Sequence, residues 1–140
     1  MIVILHNIRS LHNVGSIFRT ADAVGVEKIY LCGITPKPID EFGKPREQLI
    51  KVSLGAEKYV PWEKVSSTSR LIDKLKKENY RIFAIEQSLY STPFNKAKKP
   101  KRLALVLGSE VRGLPELILK KSDKILEIPM LGKKESLNVS

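Results

Sequence analysis

Three stretches of this chain place hydroxyl, amide, carboxylate and guanidinium groups on turns that directly follow apolar runs, where such groups bind and align rather than pack. The last is Ile125-Leu-Glu-Ile-Pro-Met-Leu-Gly-Lys-Lys-Glu-Ser-Leu-Asn-Val-Ser140. Ile125 to Ile128 suit a buried strand, Pro129 forbids its continuation, and Gly132 frees the backbone before Ser136 and Asn138 present a hydroxyl and an amide. The first is His12-Asn13-Val14-Gly15-Ser16-Ile17-Phe18-Arg19-Thr20-Ala21, which follows the run Ile2 to Leu5 and opens an amphipathic helix ending near Gly25. Asn13 is expected to cap that helix. Arg19 follows it by less than two turns, so the two are expected to serve one pocket. Between these lies Leu103-Ala-Leu-Val-Leu-Gly108-Ser-Glu110-Val-Arg-Gly113-Leu-Pro115, a buried strand, a two-glycine turn and a helix begun by proline.

All three turns need strands behind them. Periodicity predicts strands near 2–5, 27–32, 58–62, 80–86, 102–107 and 124–128, with helices near 14–24, 68–78 and 115–121. Alternation of this kind implies an α/β fold, a parallel sheet flanked by helices on both faces. In such sheets the crevice beyond the carboxyl ends of the strands holds the ligand. The segment 33–48, with Pro36, Pro38, Gly43 and Pro45, is long and irregular and is expected to border the substrate. Residues 91–102 hold the densest basic run, Lys96, Lys98, Lys99, Lys101 and Arg102. Its plain reading is a solvated connection, and its functional one a phosphate-contacting edge.

Composition narrows the class. The 140 residues suffice for one domain with a proper core, and 42% hydrophobic content argues against disorder. A net charge of +10 favours a polyanionic partner. Cys32 is the single cysteine, so no internal disulfide forms, and a reducing cytoplasm is the expected setting. His6 and His12 have no metal-ligand spacing around them, so no metal is expected. No apolar run reaches membrane-spanning length, and no partner membrane is expected.

The motifs Asn-x5-Arg-Thr, Val-Leu-Gly-x-Glu-x-x-Gly-Leu and Ile-Pro-Met-x-Gly-x-x-x-Ser-Leu-Asn-Val-Ser, in this order, resemble those of the SPOUT superfamily. The resemblance is to its SpoU/TrmH-type branch of RNA ribose 2′-O-methyltransferases, and it extends over nearly the whole chain. It implies a SPOUT-type fold with a C-terminal trefoil knot, S-adenosylmethionine as cofactor, and tRNA or rRNA as substrate. It also implies a homodimer in which each site is completed by the partner's first-motif arginine. Relatives continue past the last motif into a final helix, so residues 1–140 are expected to be a single catalytic domain truncated at its C-terminal end.

What the resemblance implies can be set on residues. Gly108, Ile128, Leu137, Ile85, Met130 and Gly132 are expected to hold the cofactor, with plain core packing an equal reading for Ile85 and Met130. Arg19, Asn13, Glu110, Ser136 and Asn138 are expected to form the catalytic set. A ribose hydroxyl is a poor nucleophile and a sulfonium methyl is already activated, so the protein mainly aligns the two and manages one proton. Arginine stays protonated, so Arg19 reads as a bidentate clamp on a phosphate beside the target ribose. His12 as general base is the weaker reading, because a histidine beside a cap is more often a surface group. Arg19, Arg9, Lys98, Lys99 and Lys101 are expected to contact RNA, with Lys37, Lys44 and Arg46 as the other candidate footprint. Two further readings stand beside the main one: a non-catalytic RNA-binding domain of the same fold, and a methyltransferase acting on a guanine base. A dinucleotide-binding domain is disfavoured, because no G-x-G-x-x-G turn follows the first strand.

Overall fold

The computed structural model describes residues 1–140. Seven strands form one sheet: β1 (Ile2–His6), β2 (Lys28–Cys32), β3 (Trp62–Val65), β4 (Arg81–Ile85), β5 (Thr92–Pro93), β6 (Leu103–Gly108) and β7 (Lys124–Glu127). Their order across the sheet is β3-β2-β1-β6-β4-β7-β5, and every pair is parallel. All seven carboxyl ends therefore point to the same edge, which is where the motif turns gather.

Side chains alternate across β1 and so feed two cores. Ile2 and Ile4 face Leu71, Ile72 and Leu75 of helix α3 (Thr68–Lys77) and Ile118 of α4 (Glu116–Lys121). Val3 and Leu5 face Val14, Ile17 and Phe18 of α1 (Leu11–Val24) and Leu49 of α2 (Glu47–Ser53). Both faces being covered explains why β1, β2 and β6 read as unbroken apolar runs. Phe18 is fully buried, so its truncation to alanine would cost about 3–5 kcal/mol.

Several boundaries differ from the sequence expectation, each for a local reason. Helix α1 starts at Leu11, because Ser10 caps it: the Ser10 Oγ accepts the Asn13 N–H at 3.1 Å. Asn13 is thus a first-turn residue and not the cap, and its amide is not spent on the helix end. Helix α2 was not anticipated, being short and mostly polar, yet it packs tightly on α1 at Gly15. A Cβ there would lie 2.4 Å from the Leu49 carbonyl oxygen.

Residues 58–62 do not form the third strand. Ala56–Lys58 make a single 3-10 turn, and the strand starts only after Pro61, which cannot donate to a ladder. Pro115 is the residue before α4 rather than its first. Strand β5 is a two-residue edge that no periodicity could announce. β7 ends at Glu127, so Ile128 lies beyond it and is 44% exposed, not buried in a strand. From there to Ser140 the chain has no regular structure, and Val139 packs against the core beneath α1.

Candidate functional site

At the carboxyl ends of β4, β6 and β7 opens a cavity of about 580 Å³, within the size range of small-molecule sites. Its apolar walls include Ile85, Leu107, Leu114, Ile128, Met130 and Leu137. The charged lining is Glu86, Glu110 and Glu127 against Arg112, so the cavity favours a cation.

The second motif's glycines have a steric cause. A Cβ on Gly108 would meet the Gly113 carbonyl carbon at 2.7 Å, because the turn folds back until the two glycines touch. Gly113 has φ +62°, and a Cβ there would lie 2.4 Å from Glu86 Oε2. The close approach expected at Gly108 is therefore to its own turn. The Gly113 N–H donates to the Ser109 carbonyl at 2.8 Å, closing the loop.

Two carboxylates then tie the loops together. Glu86, just after β4, accepts the Leu114 N–H at 2.8 Å. Glu110 Oε1 accepts both the Asn13 amide and the Val139 N–H at 3.1 Å. Asn138 donates to the Asn13 Oδ1 at 3.1 Å, so a single orientation of the Asn13 amide serves both neighbours. Gln87 donates to the Glu135 carbonyl at 2.9 Å, holding the tail from the opposite side. All three motifs thus meet at the rim through Asn13, Glu110 and Asn138.

Of the residues expected at the cofactor, Ile85, Gly108, Ile128, Met130 and Leu137 line the cavity, together with Glu110, Ser136 and Asn138. Gly132 does not: it lies outside the lining, has open space around its Cα and no positive φ, so the turn makes no special demand for glycine there. Arg19 is exposed on α1, forms no ion pair and lines no part of the cavity. The single pocket expected for Asn13 and Arg19 is not formed within this chain. A six-residue separation turns the helix by about 240°, so the two side chains leave it in different directions. Arg9, His12, Lys98, Lys99 and Lys101 are exposed and also lie outside the cavity.

Glu86, Gln87 and Arg112 were not anticipated. Glu86 and Gln87 directly follow the apolar strand β4, and Arg112 lies inside the second motif, which was the available signal. His6 is not a candidate base. Burial lowers its pKa, the Asn7 amide lies 3.2 Å from Nε2, and Nδ1 is 2.7 Å from Thr68 Oγ1. A neutral ring donating from Nδ1 satisfies both contacts.

The pattern of the SpoU rRNA methylase family matches residues 1–140. The chain belongs to that family. A Staphylococcus haemolyticus protein named for the TrmH family of tRNA/rRNA methyltransferases is 34% identical over 139 residues, covering 99% of this chain and 53% of that protein. The chain thus spans about half the length of the curated relatives it matches. The structure of an AdoMet-bound rRNA methyltransferase from Sinorhizobium meliloti superposes with a TM-score of 0.86 at 27% identity, covering 99% of this chain and 50% of that one. A structure described as an RNA 2′-O ribose methyltransferase superposes with a TM-score of 0.83 at 26% identity, over 99% and 50% of the two chains. The parallel sheet with helices on both faces is the fold shared with these structures, and the Sinorhizobium meliloti enzyme holds AdoMet, S-adenosylmethionine. The cavity suits that molecule: apolar walls for the adenine, and an excess of carboxylates for the positive sulfonium.

Proposed function

We propose that this chain is the catalytic domain of an S-adenosylmethionine-dependent RNA methyltransferase that modifies a ribose 2′-hydroxyl of tRNA or rRNA. The observation that carries the reading is the rim network, in which Asn13, Glu110, Asn138 and the Val139 N–H join the three motifs around a carboxylate-rich cavity. The ribose is favoured over a guanine base by the likeness to the 2′-O ribose methyltransferase structure. When bound, the cofactor supplies an activated methyl group.

The protein's own residues do the rest. Ile85, Ile128, Met130 and Leu137 wall the cofactor, and Gly108 lets the second-motif turn close beneath it. Glu110 fixes Asn13 and the tail backbone, so that Ser136 and Asn138 offer hydrogen bonds at set positions. Arg19 is the phosphate clamp of a homodimer: exposed on α1 and outside its own cavity, it is free to serve the cavity of a partner copy. The tail 128–140 is read as the threaded segment of the trefoil knot, and the cytoplasm as the setting.

Methyl transfer from labelled cofactor to total RNA, followed by nucleoside analysis, tests the reading. A 2′-O-methylated nucleoside is the expected product. A methylated guanine base would move the target from ribose to base, and no transfer with intact RNA binding would favour a non-catalytic domain. Mixing an Arg19→Ala chain with a Ser136→Ala chain should restore activity through a hybrid site. A fully active monomer would remove the dimer from the proposal.

A further inference from the structure

The other half of the same edge, at the ends of β2 and β3, holds a group of cations that the cofactor cavity does not use. Lys64 of β3 donates its ammonium to the Gly33 and Thr35 carbonyls, at the root of the irregular segment 33–46. Burial and the charges of Lys37 and Arg46 lower its pKa, opposed by Cys32, and no carboxylate acts on it. Arg46 Nε is sealed from solvent without an acceptor. Beside Lys64 opens a second cavity of about 380 Å³, lined also by Ser66, Ser67, Arg70 and Lys74. Its one carboxylate, Glu63, is taken by Lys28 at 3.5 Å. Lys37, Arg46, Lys64, Arg70 and Lys74 form no ion pair.

Like charges gathered without counter-ions repel, and a fold that fixes Lys64 among them on backbone carbonyls has an unmet demand for an anion. We propose that Lys37, Arg46, Lys64, Arg70 and Lys74 form a backbone-binding site for the substrate RNA, taking phosphodiesters of nucleotides that flank the one entering the cofactor cavity. The inference rests on the RNA methyltransferase reading. Because every strand is parallel, Val65 to Ser67 of the second cavity and Leu107 to Ser109 of the first lie at carboxyl ends on one edge. The ends of β6 and β3 are three strand spacings apart, roughly 14 Å, which a short run of RNA backbone spans.

The test is the salt dependence of total-tRNA binding by the whole protein, with calorimetry of S-adenosylmethionine binding beside it. Arg70→Gln with Lys74→Gln is the deciding variant, since both side chains are exposed and unpaired and the fold does not need them. Losing two phosphate contacts should flatten the slope of log affinity against log salt by about 1.4 and leave cofactor affinity unchanged. Lys64→Gln should act in the same direction, and if that variant unfolds, the Arg70/Lys74 pair still decides. An unchanged slope in a protein whose wild type binds and methylates RNA overturns this site alone. A wild type that binds no RNA and transfers no methyl overturns the RNA reading, and this site with it.

Discussion

The two halves of the sheet's carboxyl edge are built from opposite materials. Beyond β4, β6 and β7, carboxylates accept backbone N–H groups: Glu86 holds Leu114, and Glu110 holds Val139. Beyond β2 and β3 the polarity reverses, and Lys64 donates to the Gly33 and Thr35 carbonyls. The first arrangement leaves a carboxylate-rich cavity with apolar walls, the second a crowd of unpaired cations. Charge on backbone ties therefore does two tasks in this molecule. It fixes loop geometry, and it sets the sign of the ligand each half attracts.

The contrast is broken most severely by removing the residue that neither half builds into its own walls. Arg19→Lys should lower kcat/KM for RNA methylation at least 100-fold while cofactor affinity by calorimetry stays as in the wild type, because the planar fork is lost and the charge is not. Turnover near the wild-type value would exclude Arg19 from the chemistry.

Next in size is Gly113→Ala, aimed at the carboxylate-built half alone. The added Cβ meets Glu86 Oε2 at 2.4 Å and sits on a left-handed residue, so the tie to Leu114 must give way. Stability should fall by about 1–3 kcal/mol and cofactor affinity by at least tenfold. RNA affinity should hold, provided the two halves are independent. A parallel loss of RNA affinity would show that they are not.

These two positions also show what the sequence discloses. Asn13, Glu110 and Asn138 were legible because amides and carboxylates on turns after apolar runs have little packing to do. Glu86 was not, since a glutamate ending a strand looks like any solvent-facing residue until Gly113 is seen packed against it. Gly132, read as freeing the backbone of the last turn, has no positive φ and nothing within 4 Å of where its Cβ would be, so its glycine answers no local demand in the structure. The alternation of strands and helices announced the sheet. The hydrogen-bonding order, which puts β6 beside β1 and sets the cations around Lys64 apart from the first cavity, had no local signature. Lys64, Arg70 and Lys74 carry no signal in the sequence, because only the tertiary structure shows that no carboxylate answers them.

The floor beneath the cationic half gives a pH test. Cys32 ends β2 fully buried, and burial pushes its thiol pKa from 9.0 up to about 11, opposed by the Thr68 hydrogen bond and Lys64. The folded state therefore keeps a proton that the unfolded chain releases. Its contribution is complete below pH 9 and lost as pH rises towards 11, on the order of 2 kcal/mol. Denaturant melts across that window should show the wild type losing more stability than Cys32→Ala, the difference being superimposed on a constant offset from the small cavity the variant leaves. Equal slopes would mean that Lys64 compensates the thiolate and that the cationic half is better buffered than its crowding suggests.

The smallest effect belongs to Lys98, Lys99 and Lys101, on the connection that leads from β5 to the amino end of β6 and so runs to the sheet edge opposite the cofactor cavity. All three side chains are exposed, and none forms an ion pair or lines either cavity. Exposed lysines on a connection hold phosphates loosely, and each contact adds about 0.7 to the salt slope only while the RNA reaches it. Changing all three to alanine should flatten the slope by less than the Arg70/Lys74 pair does, and should lower affinity a few-fold without touching cofactor binding. A larger change from the triple variant would put the main RNA track along the connection between β5 and β6, away from the carboxyl edge. The cations around Lys64 would then mark the periphery of the footprint, and the division between the two halves would describe the fold more than the substrate's path.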